Sequence, residues 1–471
     1  MPPRAVPSSY RAAVEALAAG RPDEAEAMLA AASAASPGDP NLRYLLGNCA
    51  LARGDDEAAL SRYAQALDLA PDFPAALLNV GFIHRRHHRV EAARAVLGRC
   101  VALAPGEEAA WVNLTATFVN EGESVLGEEV ARSALRHHAA SPSIRWNLAL
   151  LLLEQGKWAE GWSEFRHRFE AGVVRRPTYG PGPPPPRLEA FAELRPGQTV
   201  VCHGEQGIGD EILFSGMIGE CAAEVAARGA RLLLDPNPRL RSVIGRTHPM
   251  PLVDRGADGS PHGARVDWVL PVGDLGGFFR RADEAFPLRS GYVRLVEERV
   301  ASIRRALRAR SAGRPLVGLA WTGGSAYTHA RSRHVPLAEW VPLLRQPASF
   351  VSLEYRDRSS EIANLESEYG LRVEQVSALA SSMDYDDVLH LVAALDLVVT
   401  VPTSVLHAAG AVGTPCLVVM HARAAWRECS RDGRIPWYPR THRRFVRPAD
   451  AGSWRETIDA VAAEVGRSIT G

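Results

Sequence analysis

PGDPNLRYLLGNCALARGDDEAALSRYAQALDLA (37–70) is followed directly by PDFPAALLNVGFIHRRHHRVEAARAVLGRCVALA (71–104), and the next residue is again a proline. Pro37, Pro71 and Pro105 therefore stand 34 residues apart, the period of a two-helix repeat. Other positions keep the same beat. Leu46-Gly47, Val80-Gly81 and Leu114-Thr115 are equivalent, as are Ala25, Ala59 and Ala93, where the helices of a hairpin need small residues to approach. Leu29, Tyr63 and Leu97 share a third position.

A fourth unit ends near Pro142 after a slightly longer stretch containing Glu121-Gly122-Glu123-Ser124, and Trp146-Asn147-Leu148-Ala149 opens a fifth that closes with WAEGWSEFRHRFE (158–170). About four to five helix pairs of tetratricopeptide type are predicted over residues 8–170. Each pair has an apolar face that it cannot bury alone, so stacking builds a solenoid whose concave surface suits a peptide or protein partner. His84, His87 and His88 share one helix face. No carboxylate or cysteine completes a metal set, and a solvated repeat face is the better account.

The 471 residues allow two to four domains. With 46% hydrophobic and 23% charged residues the chain is of ordinary globular composition, neither disordered nor fibrous. Lys+Arg and Asp+Glu both number 54, so no global field draws the protein to nucleic acid or an acidic membrane. Within residues 1–170 the balance is 17 basic to 21 acidic, too even to predict a partner's charge. Six scattered cysteines without a CxxC pair point to reduced thiols. The first twenty residues lack the apolar block of a signal peptide, and the longest clean apolar run, 148–153, is far too short to span a bilayer. A cytoplasmic protein without a transmembrane segment is expected.

Residues 171–197 contain a polyproline stretch and read as a stiff linker. Beyond it, short apolar runs alternate with helical segments: TVVCHG (199–204), RLLLD (231–235), DWVLPV (267–272), PLVGLAW (315–321), FVSLEY (350–355), LDLVVTV (395–401) and PCLVVM (415–420). Such runs predict parallel sheets covered on both faces. A break near 308–314 divides them into two roughly equal α/β halves, 198–312 and 313–467, with a ligand cleft at the strand ends.

Three motifs lie at such ends. In His203-Gly204-Glu205-Gln206-Gly207-Ile208-Gly209-Asp210-Glu211-Ile212, glycines 207 and 209 admit a ligand to the backbone, and the carboxylates of Glu205, Asp210 and Glu211 are candidate bases. A tight turn with Asp210 capping the helix is the alternative. Trp321-Thr322-Gly323-Gly324 with Arg331-Ser332-Arg333-His334 suits a phosphate, or is a basic surface loop. Pro402-Thr403-Ser404 opens a helix with His407 one turn on, a phosphate cradle rather than an ordinary cap. Asp384-Tyr385-Asp386 has the form of a metal-binding DxD, but it precedes an apolar-periodic helix and N-capping accounts for it better. No P-loop, GxSxG, HExxH or calcium loop is present.

Taken in order, 205–212, Trp321-Thr322-Gly323, the block 403–420 and Trp437-Tyr438-Pro439 resemble bacterial tetratricopeptide-repeat glycosyltransferases of the GT-B type. Their catalytic part is distantly similar to heptosyltransferases, and members carrying repeats are similar to flagellin glycosyltransferases. The resemblance implies an α plus α/β chain, with repeats followed by a GT-B module of two Rossmann-like domains. It implies metal-independent sugar transfer from a nucleotide-sugar co-substrate, with no other cofactor, to Ser or Thr of a protein held by the repeats, flagellin above all. The sugar would be a nonulosonic acid such as pseudaminic acid. On that pattern Asp210 is the candidate base, with Glu205 or Glu211 in reserve. Donor contacts fall to Gly207, Gly209, Trp321, Gly323, Arg333, Thr403, Ser404 and His407. Pro402 departs from the pattern, which has an aspartate there. A glycolipid or polysaccharide acceptor, or a non-catalytic scaffold, are the alternative expectations.

Overall fold

The computed structural model describes residues 10–36, 38–179, 183–255, 265–323, 333–376, 384–422, 425–429, 434–448 and 451–470. The chain divides into two compact units: residues 1–119 with 123–148, and residues 120–122 with 149–471.

The first unit is helical. Its helices are α1 (Arg11–Ala18), α2 (Pro22–Ala35), α3 (Pro40–Ala52), α4 (Asp56–Leu69), α5 (Pro74–Arg86), α6 (Val90–Leu103), α7 (Glu108–Ala116) and α8 (Ser124–His137), and α9 (Pro142–Glu154) crosses the boundary. The starts of α3, α5, α7 and α9 are 34 residues apart, as are those of α2, α4, α6 and α8. Proline at N1 lacks only an N–H that would be orphaned anyway, so Pro40 and Pro74 start their helices at no cost in hydrogen bonds. Pro142 occupies that same position, aligned with Pro40 and Pro74 rather than with Pro37, so the fourth repeat has the ordinary length; Pro37 itself lies outside the described residues. Asp39 and Asp55 cap α3 and α4 by accepting from the N–H groups of Asn41 and Ala58. The small-residue positions close each hairpin. A Cβ on Gly47 would stand 2.5 Å from Tyr63, and one on Gly81 2.5 Å from Leu97, while Ala25, Ala59 and Ala93 are fully buried.

The second unit begins with the end of α9 and with α10 (Trp158–Phe165). The expected repeat domain runs to 170, yet α10 buries its apolar face among α/β residues. Trp162 donates its indole N–H to the Arg280 carbonyl at 2.8 Å and meets Trp426 edge-on at 5.4 Å. Trp158 donates to Asp283 at 2.7 Å. The second half of the expected linker is also part of this unit. Arg187 bridges Val269, and Leu188, Phe191 and Leu194, the apolar residues that follow the prolines, are buried.

Two parallel sheets follow, and they are unequal. The first has three strands in the order β2-β1-β3: β1 (Thr199–His203), β2 (Arg231–Asp235) and β3 (Trp268–Pro271). Helices α11 (Ile208–Ser215), α12 (Ile218–Ala227), α13 (Arg241–Thr247), α14 (Leu275–Phe279) and α15 (Glu297–Arg308) accompany it in sequence. The second has six strands: β4 (Leu316–Ala320), β5 (Ser349–Ser352), β6 (Val373–Gln375), β7 (Leu397–Thr400), β8 (Cys416–His421) and β9 (His442–Arg447). Its helices are α16 (Val341–Leu344), α17 (Ser359–Tyr369), α18 (Asp386–Ala394), α19 (Ser404–Val412) and α20 (Arg455–Thr470). The spatial order β6-β5-β4-β7-β8-β9 reverses direction between β4 and β7, as in doubly wound nucleotide-binding sheets. The second and third sequence motifs sit at the carboxyl ends of β4 and β7, the two strands that flank this switch point. Val317, Leu319, Val399, Trp321 and Trp340 fill the core beneath it.

Candidate functional site

The loop after β1 is built around three carboxylates with three different fates. Glu205 is buried and accepts from Arg168 at 2.9 and 2.6 Å and from the Gly273 N–H at 2.9 Å. Glu211 is buried beneath Gly204, where any Cβ would overlap its carboxyl, and it accepts from the Asn237 N–H at 2.7 Å. Burial pushes its pKa up to about 8, so at neutral pH it is mostly protonated. Asp210 keeps some exposure, its side chain 17% accessible. One oxygen accepts from the Gly207 N–H at 3.4 Å, capping α11 as the tight-turn alternative expects, and the other pairs with Arg427. Both roles coexist because a carboxylate offers about four acceptor sites.

Arg427 comes from a single turn, 426–428, after β8. Besides Asp210 it holds the Gln206 side-chain oxygen at 3.1 Å and lies over the Trp426 ring at 4.6 Å. Sequence reasoning missed Trp426-Arg427-Glu428. The signal was available, since a loop at the carboxyl end of a parallel strand is where binding residues collect.

After β7, Thr403 caps α19 by accepting from the Val405 N–H at 3.1 Å. Gly323 at the end of β4 packs so closely that a Cβ would stand 2.6 Å from Thr403, 3.0 Å from the Pro402 carbonyl and 3.3 Å from the Arg333 side chain. Pro402 thus contributes a backbone wall where the resembled pattern has a carboxylate. Trp321 is wholly buried, its indole N–H on Glu361 at 2.9 Å and its backbone N–H on Glu354 at 2.8 Å, so it anchors the loop and presents no surface to a ligand. Gly324, Arg331 and Ser332 lie outside the described residues.

His407 is buried one turn into α19, with Nδ1 3.1 Å from the Tyr438 hydroxyl. Burial, then the charges of Arg427, His442 and Arg333, hold its pKa well below the usual imidazole range, so it is neutral. The Tyr438 hydroxyl also bonds to Tyr292, whose own hydroxyl donates to the Ile212 carbonyl at 2.7 Å, so His407, Tyr438 and Tyr292 form one hydrogen-bonded chain. Glu428 is raised by burial against the opposing pull of Arg333 and Arg427. Its Oε2 and the Gln206 Nε2 are both buried with no hydrogen-bond partner among the described residues.

The first and third motifs meet here. Gly209 lies against Ser404 and His407, so the turn that carries the Asp210–Arg427 pair packs on the start of α19. The combination is chemically specific: a helix N-terminus and two guanidinium groups favour an anion, beside a carboxylate able to accept a proton.

The remaining candidates are structural. Asp384 accepts from Ser242 at 2.6 Å and from the Asp386 N–H at 2.9 Å, while Asp386 pairs with Arg246 and Arg299. His87 is bonded to Asp56 at 2.6 Å. Among the described residues no three His, Cys, Asp or Glu side chains converge as a metal site, and no helix is long and apolar enough to cross a membrane.

Comparison with known proteins agrees with the helical part. The tetratricopeptide repeat family profile matches residues 16–61. Protein FlbA of Caulobacter vibrioides is 29% identical over 455 residues, covering 94% of this chain and 70% of its own. The tetratricopeptide repeat-containing protein trd-1 of Caenorhabditis elegans is 24% identical over 124 residues, 26% of this chain and 16% of its own. Among solved structures, a thermophilic tetratricopeptide protein of Thermus thermophilus, TTC0263, is 22% identical, covering 34% of this chain and 89% of its own at a TM-score of 0.29. Pseudomonas aeruginosa pilF is 16% identical, covering 47% and 87% at a TM-score of 0.35. The chain thus carries N-terminal tetratricopeptide repeats followed by a helical and parallel-sheet region, and the FlbA likeness runs through both.

Proposed function

We propose that the protein is a glycosyltransferase of GT-B type, its three-stranded part on the acceptor side and its six-stranded part on the nucleotide-sugar side. The observation that supports this reading is the meeting of Gly209 with Ser404 and His407, which brings the Asp210 turn to the N-terminus of α19 at a strand-order switch point. In the reaction, Asp210 takes the proton from an acceptor Ser or Thr hydroxyl as its oxygen attacks the anomeric carbon. The bond to the nucleotide phosphate breaks. Arg333 and the α19 N-terminus, with His407 one turn along, stabilise the phosphate charge that develops. No side-chain metal set is needed in this scheme, because guanidinium and backbone N–H groups supply the positive field.

The acceptor is proposed to be a protein, flagellin first, because tetratricopeptide repeats present a surface suited to peptide chains. The donor is proposed to carry a nonulosonic acid such as pseudaminic acid, and the reaction belongs to the cytoplasm. The test is the intact mass of flagellin from cells with and without this protein. Loss of a discrete sugar-sized increment on deletion supports the reading and identifies the sugar class. An unchanged flagellin mass with an altered lipopolysaccharide or capsule moves the acceptor to a glycolipid. No change in any of them favours a scaffold.

A further inference from the structure

We infer that Arg168 is a positioning residue for the Asp210 loop, reaching from the end of the helical region to fix the chain between β1 and α11. The inference rests on the proposed reading of Asp210 as base. Arg168 is completely buried. Its Nε and Nη2 fork onto the two oxygens of Glu205 at 2.9 and 2.6 Å, Nη2 also lies 2.9 Å from Asp274, and Nη1 donates to the Phe165 carbonyl at 3.1 Å. Phe165 and Phe169 flank the guanidinium at 4.6 and 4.5 Å.

Glu205 is immobilised by this fork and by the Gly273 N–H. The next residue, Gln206, has φ +61°, a left-handed conformation that a side chain adopts only when its surroundings impose it. Arg427 holds the Gln206 amide oxygen and then Asp210. Residues 205–210 are therefore strung between two guanidinium groups, Arg168 from the turn after α10 and Arg427 from the turn after β8. Arg168 and Arg187 balance Glu205 and Asp274 in charge, so a purely stabilising quartet is the rival account.

The two separate in the full-length protein by hydrogen exchange over residues 204–211, read with the intact mass of co-expressed flagellin, in Arg168→Met, Arg168→Lys and Glu205→Gln. Gln at 205 keeps one oxygen for the Arg168 Nη2 and the Gly273 N–H but loses the acceptor that faces Nε, so its exchange over 204–211 should rise by about threefold. Arg168→Met should exchange at least about tenfold faster in 204–211 while β4–β9 stay unchanged, with a comparable fall in modified flagellin. Lys cannot fork onto both oxygens, and its local rise should be about threefold. Parent-like exchange in Arg168→Met, or a rise spread evenly over the whole unit, overturns the inference; if that variant does not fold, the Lys variant decides by the same criterion. Flagellin left unmodified by the parent protein sinks the transfer reading, and the exchange comparison then still decides the clamp on its own.

Discussion

Gly209 in the first turn of α11 lies against Ser404 in the first turn of α19, so close that a Cβ would stand 3.3 Å from the Ser404 Cα and 2.8 Å from the His407 ring. Two helix starts can face one space only if one of them lacks a side chain. Alanine at a helical position should gain roughly 0.5–1 kcal/mol over glycine. Any net loss in Gly209→Ala therefore reports the contact itself. We expect a destabilisation of about 1–2 kcal/mol and a fall in flagellin modification of about tenfold or more as the two loops part. A melting curve and the flagellin mass measure these separately.

Asp210→Asn keeps an acceptor for the Gly207 N–H and removes both the ion pair with Arg427 and the ability to accept a proton. Transfer should drop by about 10²–10⁴-fold, while binding of a nucleotide to the α19 side, read by calorimetry, changes by less than about threefold. Undiminished transfer by this variant removes Asp210 from the role of base.

Glu211 makes a pH-dependent contribution whose sign is fixed by the direction of its shift. Its folded pKa, raised to about 8, exceeds the usual carboxylate value, so the stabilisation is complete below about pH 4.5 and is lost as the pH rises through about 8. Glu154, also raised to about 8 by burial, acts in the same direction. His248 and His442, lowered to about 4 by burial, act oppositely, adding stability as the pH rises from about 4 to about 6.5. Glu211→Gln imitates the protonated acid. It should melt like the parent at pH 5 and above it at pH 8.5, by an amount of the order of a few kcal/mol. If it melts below the parent at pH 8.5, the folded site favours the ionised carboxylate and the upward shift is absent.

The seven apolar runs read as strands all fall on strands, because a strand buried on both faces shows a continuous apolar stretch. The two that escaped, β6 and β9, are the two edges of the six-stranded sheet. β6 has three residues, and β9, HRRFVR, is charged where an edge must discourage further pairing. The repeat was legible down to its period, since Gly47 and Gly81 have to be small. Its end was not. WAEGWSEF has the pattern of a repeat helix, and nothing local reveals that Trp162 meets Arg280, Phe214 and Trp426 rather than another repeat. At the site, glycines and caps were legible because they are local, whereas Arg427 reaches Asp210 across more than two hundred residues and left no trace in spacing.

Where the helical region ends decides which truncation separates the protein-acceptor reading from its rivals. Removing residues 1–170 takes away Arg168 and leaves Glu205 and Asp274 buried without it, a loss of about 3–5 kcal/mol. It also empties the place of Trp162, at about 3–5 kcal/mol. Together these consume most of the roughly 5–15 kcal/mol that holds an ordinary domain, so a chain beginning at 171 should be recovered insoluble or molten. A chain beginning at 149 keeps α10, Arg168 and the aromatic cluster, and loses within its unit the contact from the Asn120 N–H to Glu154. It should fold with a cooperative melt and bind nucleotide like the full chain, yet leave flagellin unmodified because the repeats that present it are gone. Full modification of flagellin by that shorter chain would show that the acceptor is recognised by the α/β part alone.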